Sequence, residues 1–176
     1  MQEHSPKVVR TGTLLDFKKS GRKFSALTSY DSLTSGIFDE AGIDVLLVGD
    51  SAADNVLGYE TTLPITVDEM IPFGRAVSRA TKRALVVVDM PFGSYESGPE
   101  EALQNAIKIM KLSGAGAVKL EGGVRSISQI KALVTAGIPV MGHIGFTPQS
   151  VHTLSGAKVQ GRGDSAQTLI CLLYTS

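Results

Sequence analysis

The chain has 176 residues, 43% hydrophobic and 19% charged, and its 17 basic and 17 acidic side chains give a formal net charge of zero. That is long enough for one real core, since a domain of ~150 residues buries roughly two-thirds of its unfolded surface. The composition excludes a disordered polyelectrolyte and a sequence-independent nucleic-acid binder, which needs a basic excess. No apolar run approaches the ~18–20 residues of a membrane span. Met1 to Lys7 has no signal-peptide core, and the single cysteine, Cys171, excludes an intrachain disulfide framework and a thiolate zinc site. A reducing cytoplasm is the default for such a chain.

Phe24 to Thr28 is a weak first strand, followed by Tyr30-Asp31. Ser32 to Ala41 reads as a helix stopped by Gly42. Ile43 to Val48 is a strand ended by Gly49-Asp50-Ser51. Thr66 to Arg83 opens with Thr66 and Glu69 at capping-box spacing. Its Val67, Met70, Ile71 and Phe73 partly fit one face, although Pro72 and Gly74 interrupt the pattern. Leu85 to Val88 is the next strand, with Asp89 directly after it. Pro99 to Leu112 starts with a proline and two glutamates, suited to the positive end of a helix. Ala102, Ala106, Ile109 and Met110 form its buried stripe. Gly114-Ala115-Gly116 is a helix-to-strand turn, in the wrong order for a dinucleotide fingerprint. Val118 to Leu120 carries Lys119 and leads into Glu121. Ser126 to Ala136 is a helix stopped by Gly137 and Pro139, and Ile138 to Ile144 is a last strand carrying His143.

The apolar runs are near-continuous rather than alternating, the pattern of parallel strands covered on both faces. Recurrent strand–loop–helix units imply an α/β fold. Two architectures satisfy that pattern: an open doubly wound sheet, or a (β/α)8 barrel, which usually takes roughly 250 residues and is here incomplete.

In either architecture the polar residues after the strands gather at one end of the sheet, where active sites of such folds are built. Asp50, Asp89 and Glu121 each follow an apolar run directly. Asp31 and Asp50, taken singly, also suit a helix N-cap or a turn. Three carboxylates near one point repel unless a cation or proton joins them, and an oxygen-only donor set suits a hard divalent ion such as Mg²⁺. Lys119 and Glu121 lie two apart on a strand, so they share one face. Lys119 can hold an anionic substrate there, or pair with a neighbouring carboxylate. His143 is either a satisfied structural group or part of the site.

Several blocks stand in a fixed order: Val48-Gly49-Asp50-Ser51, Thr62-Leu63-Pro64, Asp89-Met90-Pro91-Phe92, Val118-Lys119-Leu120-Glu121-Gly122-Gly123, Gly142 through Ser150, and Lys158 through Gly163. The ordered set, from about Thr13 to Asp164, closely resembles the 3-methyl-2-oxobutanoate (ketopantoate) hydroxymethyltransferases of pantothenate synthesis. The resemblance implies a (β/α)8 TIM barrel with an N-terminal capping helix, here about five βα units. It implies a Mg²⁺-dependent, cytoplasmic homodecamer that takes a one-carbon unit from 5,10-methylenetetrahydrofolate. The positions matching the family's metal-associated residues are Asp50, Asp89 and Glu121. Those matching its substrate contacts are Asp50, Ser51, Asp89 and Lys119, with Lys119 also acting electrostatically. The family's general base is a glutamate beyond the sixth strand, past the end of this chain. His152 and Ser155 depart from the family pattern, which has Asn and Gly there.

The resemblance also sets expectations for the chain as a whole. Residues 1–170 read as the N-terminal part of a single barrel domain. Cys171 to Ser176 reads as a non-native tail, and the polypeptide is expected to be poorly soluble and inactive. Two other readings remain for the residues: another Mg²⁺-dependent lyase or mutase barrel acting on 2-oxo acids, and a non-catalytic half-barrel that binds an acidic ligand or a partner.

Overall fold

Helix α1 (Thr11–Lys19) precedes five strand–helix steps in a computed structural model that describes residues 7–156 and 158–175. The expectations placed on Met1 to Pro6 and on Ser176 lie outside the described residues. The steps are β1 (Ala26–Thr28) with α2 (Ser32–Glu40), β2 (Val45–Val48) with the short α3 (Ala52–Asn55) and α4 (Val67–Ala80), and β3 (Leu85–Asp89) with α5 (Pro99–Ser113). Then follow β4 (Ala117–Glu121) with α6 (Ile127–Thr135), and β5 (Val140–His143) with α7 (Asp164–Thr175). The strands form one parallel sheet in the order β1-β2-β3-β4-β5.

Alternate residues of each strand face opposite sides. Leu46, Val48, Val86, Val88, Val118 and Leu120 pack under the helices, together with Met70, Val77, Ala106, Ile109 and Leu133. Val45, Leu85, Val87 and Ala117 form a second cluster on the inner side, joined by Val9 before α1, by Leu14 of α1 and by Met141. Both sides of the central strands are therefore covered, as their unbroken apolar runs require. The same alternation puts Asp89, Lys119 and Glu121 on the inner side, beyond Val87 and Ala117.

Sequence-coded ends fix the helices. Thr66 N–H donates to Glu69 Oε2 at 2.8 Å and Glu69 N–H to Thr66 Oγ1 at 3.3 Å, closing the expected capping box. Asp31 accepts from Thr34 N–H at 2.8 Å and caps α2, so its role is structural. Those hydrogen bonds to Thr34 hold its carboxyl below the usual range. Pro99 opens α5, and Gly114 closes it at φ +79°. Gly74 lies where α4 approaches β3 and α5: a Cβ there would stand 2.8 Å from Ser113 Cβ and 2.9 Å from Val88 Cγ2.

α4 runs through Pro72 as the Thr66–Arg83 reading expects, because Met70, Ile71, Gly74 and Val77 are buried on its inner face while Pro72 faces outward, but it ends at Ala80. β5 is shorter than the apolar run that carries it, and α3 had no counterpart in the sequence reading. Ser155 takes φ +54°, the left-handed region where glycine is natural.

At the opposite end of the sheet, Asp39 is buried and its carboxylate accepts from the backbone N–H groups of Lys82, Arg83 and Ala84, the last at 2.7 Å. It thus anchors the entry to β3 from α2. Asp39→Ala leaves those donors without their carboxylate and is expected to cost about 3 kcal/mol, since each buried unsatisfied donor costs ~1–3 kcal/mol. Urea unfolding at pH 7 measures it; a loss under about 0.5 kcal/mol would mean that water replaces the carboxylate freely.

Candidate active site

The strand register brings the polar residues together. Asp89 at the end of β3 lies beside Lys119 of β4, and Glu121 beside His143 of β5. The Lys119 ammonium donates to Asp89 Oδ1 and lies 3.8 Å from Glu121 Oε1. Asp50, two residues past β2, donates its backbone N–H to Asp89 Oδ2 at 3.0 Å. All four residues are buried: Asp50 is 4% exposed, Asp89 2%, Lys119 7% and Glu121 2%. So little contact with water makes the charge balance decisive.

Three carboxylates face one ammonium. Burial, and then the neighbouring Asp89 charge, push the Asp50 carboxyl up to about 6. Burial also raises Asp89, against the pull of Lys119. A proton or a cation can balance that charge, and the chemistry of the place suits a cation. The donors are oxygens, the ammonium of Lys119 already stands on Asp89 as a cation would, and the strand end beside them is kept open by Gly49. A Cβ on Gly49 would come 2.8 Å from Ser51 Oγ and 3.5 Å from Asp89 Oδ2.

Glu121, like Asp89, is held at both carboxylate oxygens. His143 Nδ1 lies 2.7 Å from its Oε1, and Gln149 N–H donates to its Oε2 at 3.2 Å. As these side chains stand, no group of three His, Cys, Asp or Glu among the described residues converges on one ion position. Asp50 and Asp89 are the adjacent pair. A Mg²⁺ site commonly needs only one or two carboxylates, with waters and substrate oxygens completing it. The residues therefore fit a hard dication.

Ser51 sits at the mouth of the same region. Its hydroxyl lies 2.8 Å from that of Tyr30, which accepts from Asn55 Nδ2 at 3.3 Å. The Tyr30 ring packs edge-on against Phe73 with 6.4 Å between centroids, which fixes where its hydroxyl points.

Every expected site residue, Asp50, Ser51, Asp89, Lys119, Glu121 and His143, thus lies at one end of the sheet. Four neighbours had no role assigned from sequence: Tyr30, Asn55, Tyr95 and Gln149. Each is uncharged and lies in a loop or short helix after a strand. Gln149 stood within the Gly142 to Ser150 block without a role; the other three carried only that position, which they share with ordinary turn residues.

A family model described as ketopantoate hydroxymethyltransferase matches residues 8–172, farther at both ends than the motif set quoted above. The 3-methyl-2-oxobutanoate hydroxymethyltransferase of Leifsonia xyli subsp. xyli is 65% identical over 166 residues, 94% of this chain and 60% of that protein. The enzyme of the same name from Thermobifida fusca is 65% identical over 149 residues, covering 85% and 53%. That from Mycobacterium bovis is 60% identical over 162 residues, covering 92% and 58%. The chain thus spans little more than half the length of such relatives. Among solved structures, a phosphonopyruvate hydrolase in complex with oxalate and Mg²⁺ superposes with a TM-score of 0.65 at 13% identity, covering 85% of this chain and 56% of that one. A 2,3-dimethylmalate lyase of the PEP mutase/isocitrate lyase superfamily gives 0.58 at 21%, covering 77% and 52%. At such identities these two show the fold alone: five βα units of a TIM barrel.

Proposed function

The chain belongs to the ketopantoate hydroxymethyltransferase family, and we propose that it supplies the substrate- and metal-binding half of such an enzyme. The reaction is hydroxymethylation of 3-methyl-2-oxobutanoate, with 5,10-methylenetetrahydrofolate supplying the carbon, water supplying the hydroxyl and tetrahydrofolate leaving. The observation that carries this is the buried set of Asp50, Asp89, Lys119 and Glu121 at the strand ends of a chain matched along residues 8–172. The whole protein is proposed to work as a cytoplasmic homodecamer, as the resemblance implies.

Asp50 and Asp89 are proposed to hold Mg²⁺, with Glu121 beside them, steadied by His143 and by the Gln149 backbone. When bound, the ion supplies Lewis-acid stabilisation of negative charge on a 2-oxo acid. Lys119 adds a fixed positive charge against the enolate oxygen from a site that excludes water, where such a charge acts strongly. Ser51, oriented by Tyr30, donates a hydrogen bond at the substrate carboxylate. These residues bind, orient and polarise. Proton removal from carbon 3 falls to the glutamate that the resemblance places in a later part of the polypeptide.

Calorimetric titration of the chain with 3-methyl-2-oxobutanoate tests the reading. Binding is expected with Mg²⁺ and not with EDTA, and Asp89→Asn is expected to weaken it at least about tenfold. Binding unaffected by EDTA would sink the metal-assisted reading. Turnover of a 2-oxo acid without folate would favour the lyase or mutase alternative.

A further inference from the structure

Gln149 lies in the 3-10 turn Pro148–Ser150 after β5 and is buried. Its side-chain amide touches groups delivered by two other strands. Nε2 donates to Asp50 Oδ2 at 2.8 Å and to the Met90 carbonyl at 3.0 Å. Oε1 accepts from the Tyr95 hydroxyl. Its own backbone N–H donates to Glu121 Oε2 at 3.2 Å. One residue thus holds both Asp50 and Glu121.

The direction of every bond in this chain is fixed by groups that cannot turn over. A backbone N–H only donates, and that of Glu121 reaches the Tyr95 hydroxyl oxygen at 3.3 Å. The hydroxyl, having accepted there, gives its hydrogen to Gln149 Oε1. At the far end, Met90 O and Asp50 Oδ2 are both acceptors, so only the nitrogen end of the amide can face them. Polarity therefore runs one way, from Glu121 N–H through Tyr95 and Gln149 to Asp50. The two residues also have no alternative partner in water: Tyr95 is 3% exposed and Gln149 7%. Aligned bonds in such a buried chain strengthen one another.

We propose that Gln149 is a positioning residue for the dication site, and that Tyr95 acts through it by fixing the amide. Gln149 pins Asp50 Oδ2, which sets the plane of the carboxylate and leaves Oδ1 for the ion. The proposal rests on the reading that Asp50 helps hold that ion. Partners of metal ligands of this kind typically change affinity by ~10–100-fold when removed.

The test uses Mn²⁺ as probe, its affinity read by electron paramagnetic resonance, and the side-chain ¹⁵N–¹H signal of Gln149, assigned by its loss in Gln149→Met. In the unaltered chain the amide hydrogens are expected to exchange slowly with solvent. Gln149→Met is expected to weaken Mn²⁺ binding about tenfold. Tyr95→Phe, which deletes one oxygen, is expected to weaken it less and to speed amide exchange. In the Gln149→Met background, Tyr95→Phe is expected to have no further effect on affinity, because its route to Asp50 is gone. Additive losses, or a Tyr95→Phe chain with unchanged affinity and exchange, would overturn the proposal. Should Gln149→Met fail to fold, the Tyr95→Phe comparison decides alone. No Mn²⁺ binding by the unaltered, folded chain overturns the dication reading itself and this role with it. Normal Mn²⁺ binding by the unaltered chain with a null Tyr95→Phe result overturns this role and leaves the dication reading standing.

Discussion

Lys119→Met is expected to lower the unfolding free energy of the metal-free chain by about 3–5 kcal/mol at pH 7, the usual cost of removing one partner of a buried ion pair. The Lys119 side chain is 9% exposed and that of Asp89 3%, so water cannot take over the role of the ammonium. Methionine keeps the length and apolar volume of the lysine stem, so little of the loss comes from packing. What remains is Asp89, with Asp50 and Glu121 near it, and no opposite charge. Acid should shrink the effect, because protonating the carboxyls relieves the same imbalance. Mg²⁺ should shrink it too, because a dication on Asp89 stands where the ammonium did. Urea unfolding at pH 7, with EDTA and then with MgCl₂, separates these terms. A loss below about 1 kcal/mol would place the pair among solvated surface bridges. A full loss that Mg²⁺ leaves untouched would mean that no dication reaches Asp89.

That imbalance was legible in the sequence because parallel strands deliver their C-terminal residues to one end whatever the sheet's curvature. Asp50, Asp89 and Glu121 follow apolar runs, and a two-residue spacing alone puts Lys119 on the face of Glu121. Pairings set by register were not legible. Nothing in the order of residues aligns Glu121 with His143, since that depends on how β4 slides against β5. Local rules also misjudged extents. Pro139 cannot donate to a ladder, so β5 begins at Val140, although the Pro139 carbonyl still accepts from Val118 N–H at 3.1 Å. The helix read over Thr66 to Arg83 survives Pro72, since the burial of Met70, Ile71 and Val77 outweighs one missing helical hydrogen bond, but it ends at Ala80. Gln149 was hidden for a different reason. An uncharged residue in a turn carries no electrostatic signature until the fold places its amide against a carboxylate.

Asp50→Asn should act in the opposite direction to the lysine substitution and stabilise the metal-free chain. The Asp50 carboxyl rises from 3.8 to about 6 on folding, mainly through burial and then through Asp89. The folded chain therefore holds a proton between those values that the unfolded chain has released. Stability from this group is complete below about pH 4 and is lost as pH rises through about 6. The shift corresponds to about 3 kcal/mol of penalty at pH 7. Asparagine has no proton to lose, and its carbonyl can still accept from Gln149. In EDTA, the gain from Asp50→Asn is expected to be near zero at pH 4 and to grow to about 2–3 kcal/mol at pH 7. Asp89 shifts in the same direction. Some decline of stability with pH should therefore persist in the variant, at a shallower slope than in the parent. Mg²⁺ should invert the ranking at pH 7, since the parent is stabilised by RT ln(1 + [ion]/Kd) and the variant has lost a ligand. Melting curves at pH 4 and 7, with and without the ion, give all four terms. An Asp50→Asn chain less stable than the parent at pH 7 in EDTA would mean that Asp50 is stabilised as an anion by its neighbours. The case for a cation built on surplus charge would then fail.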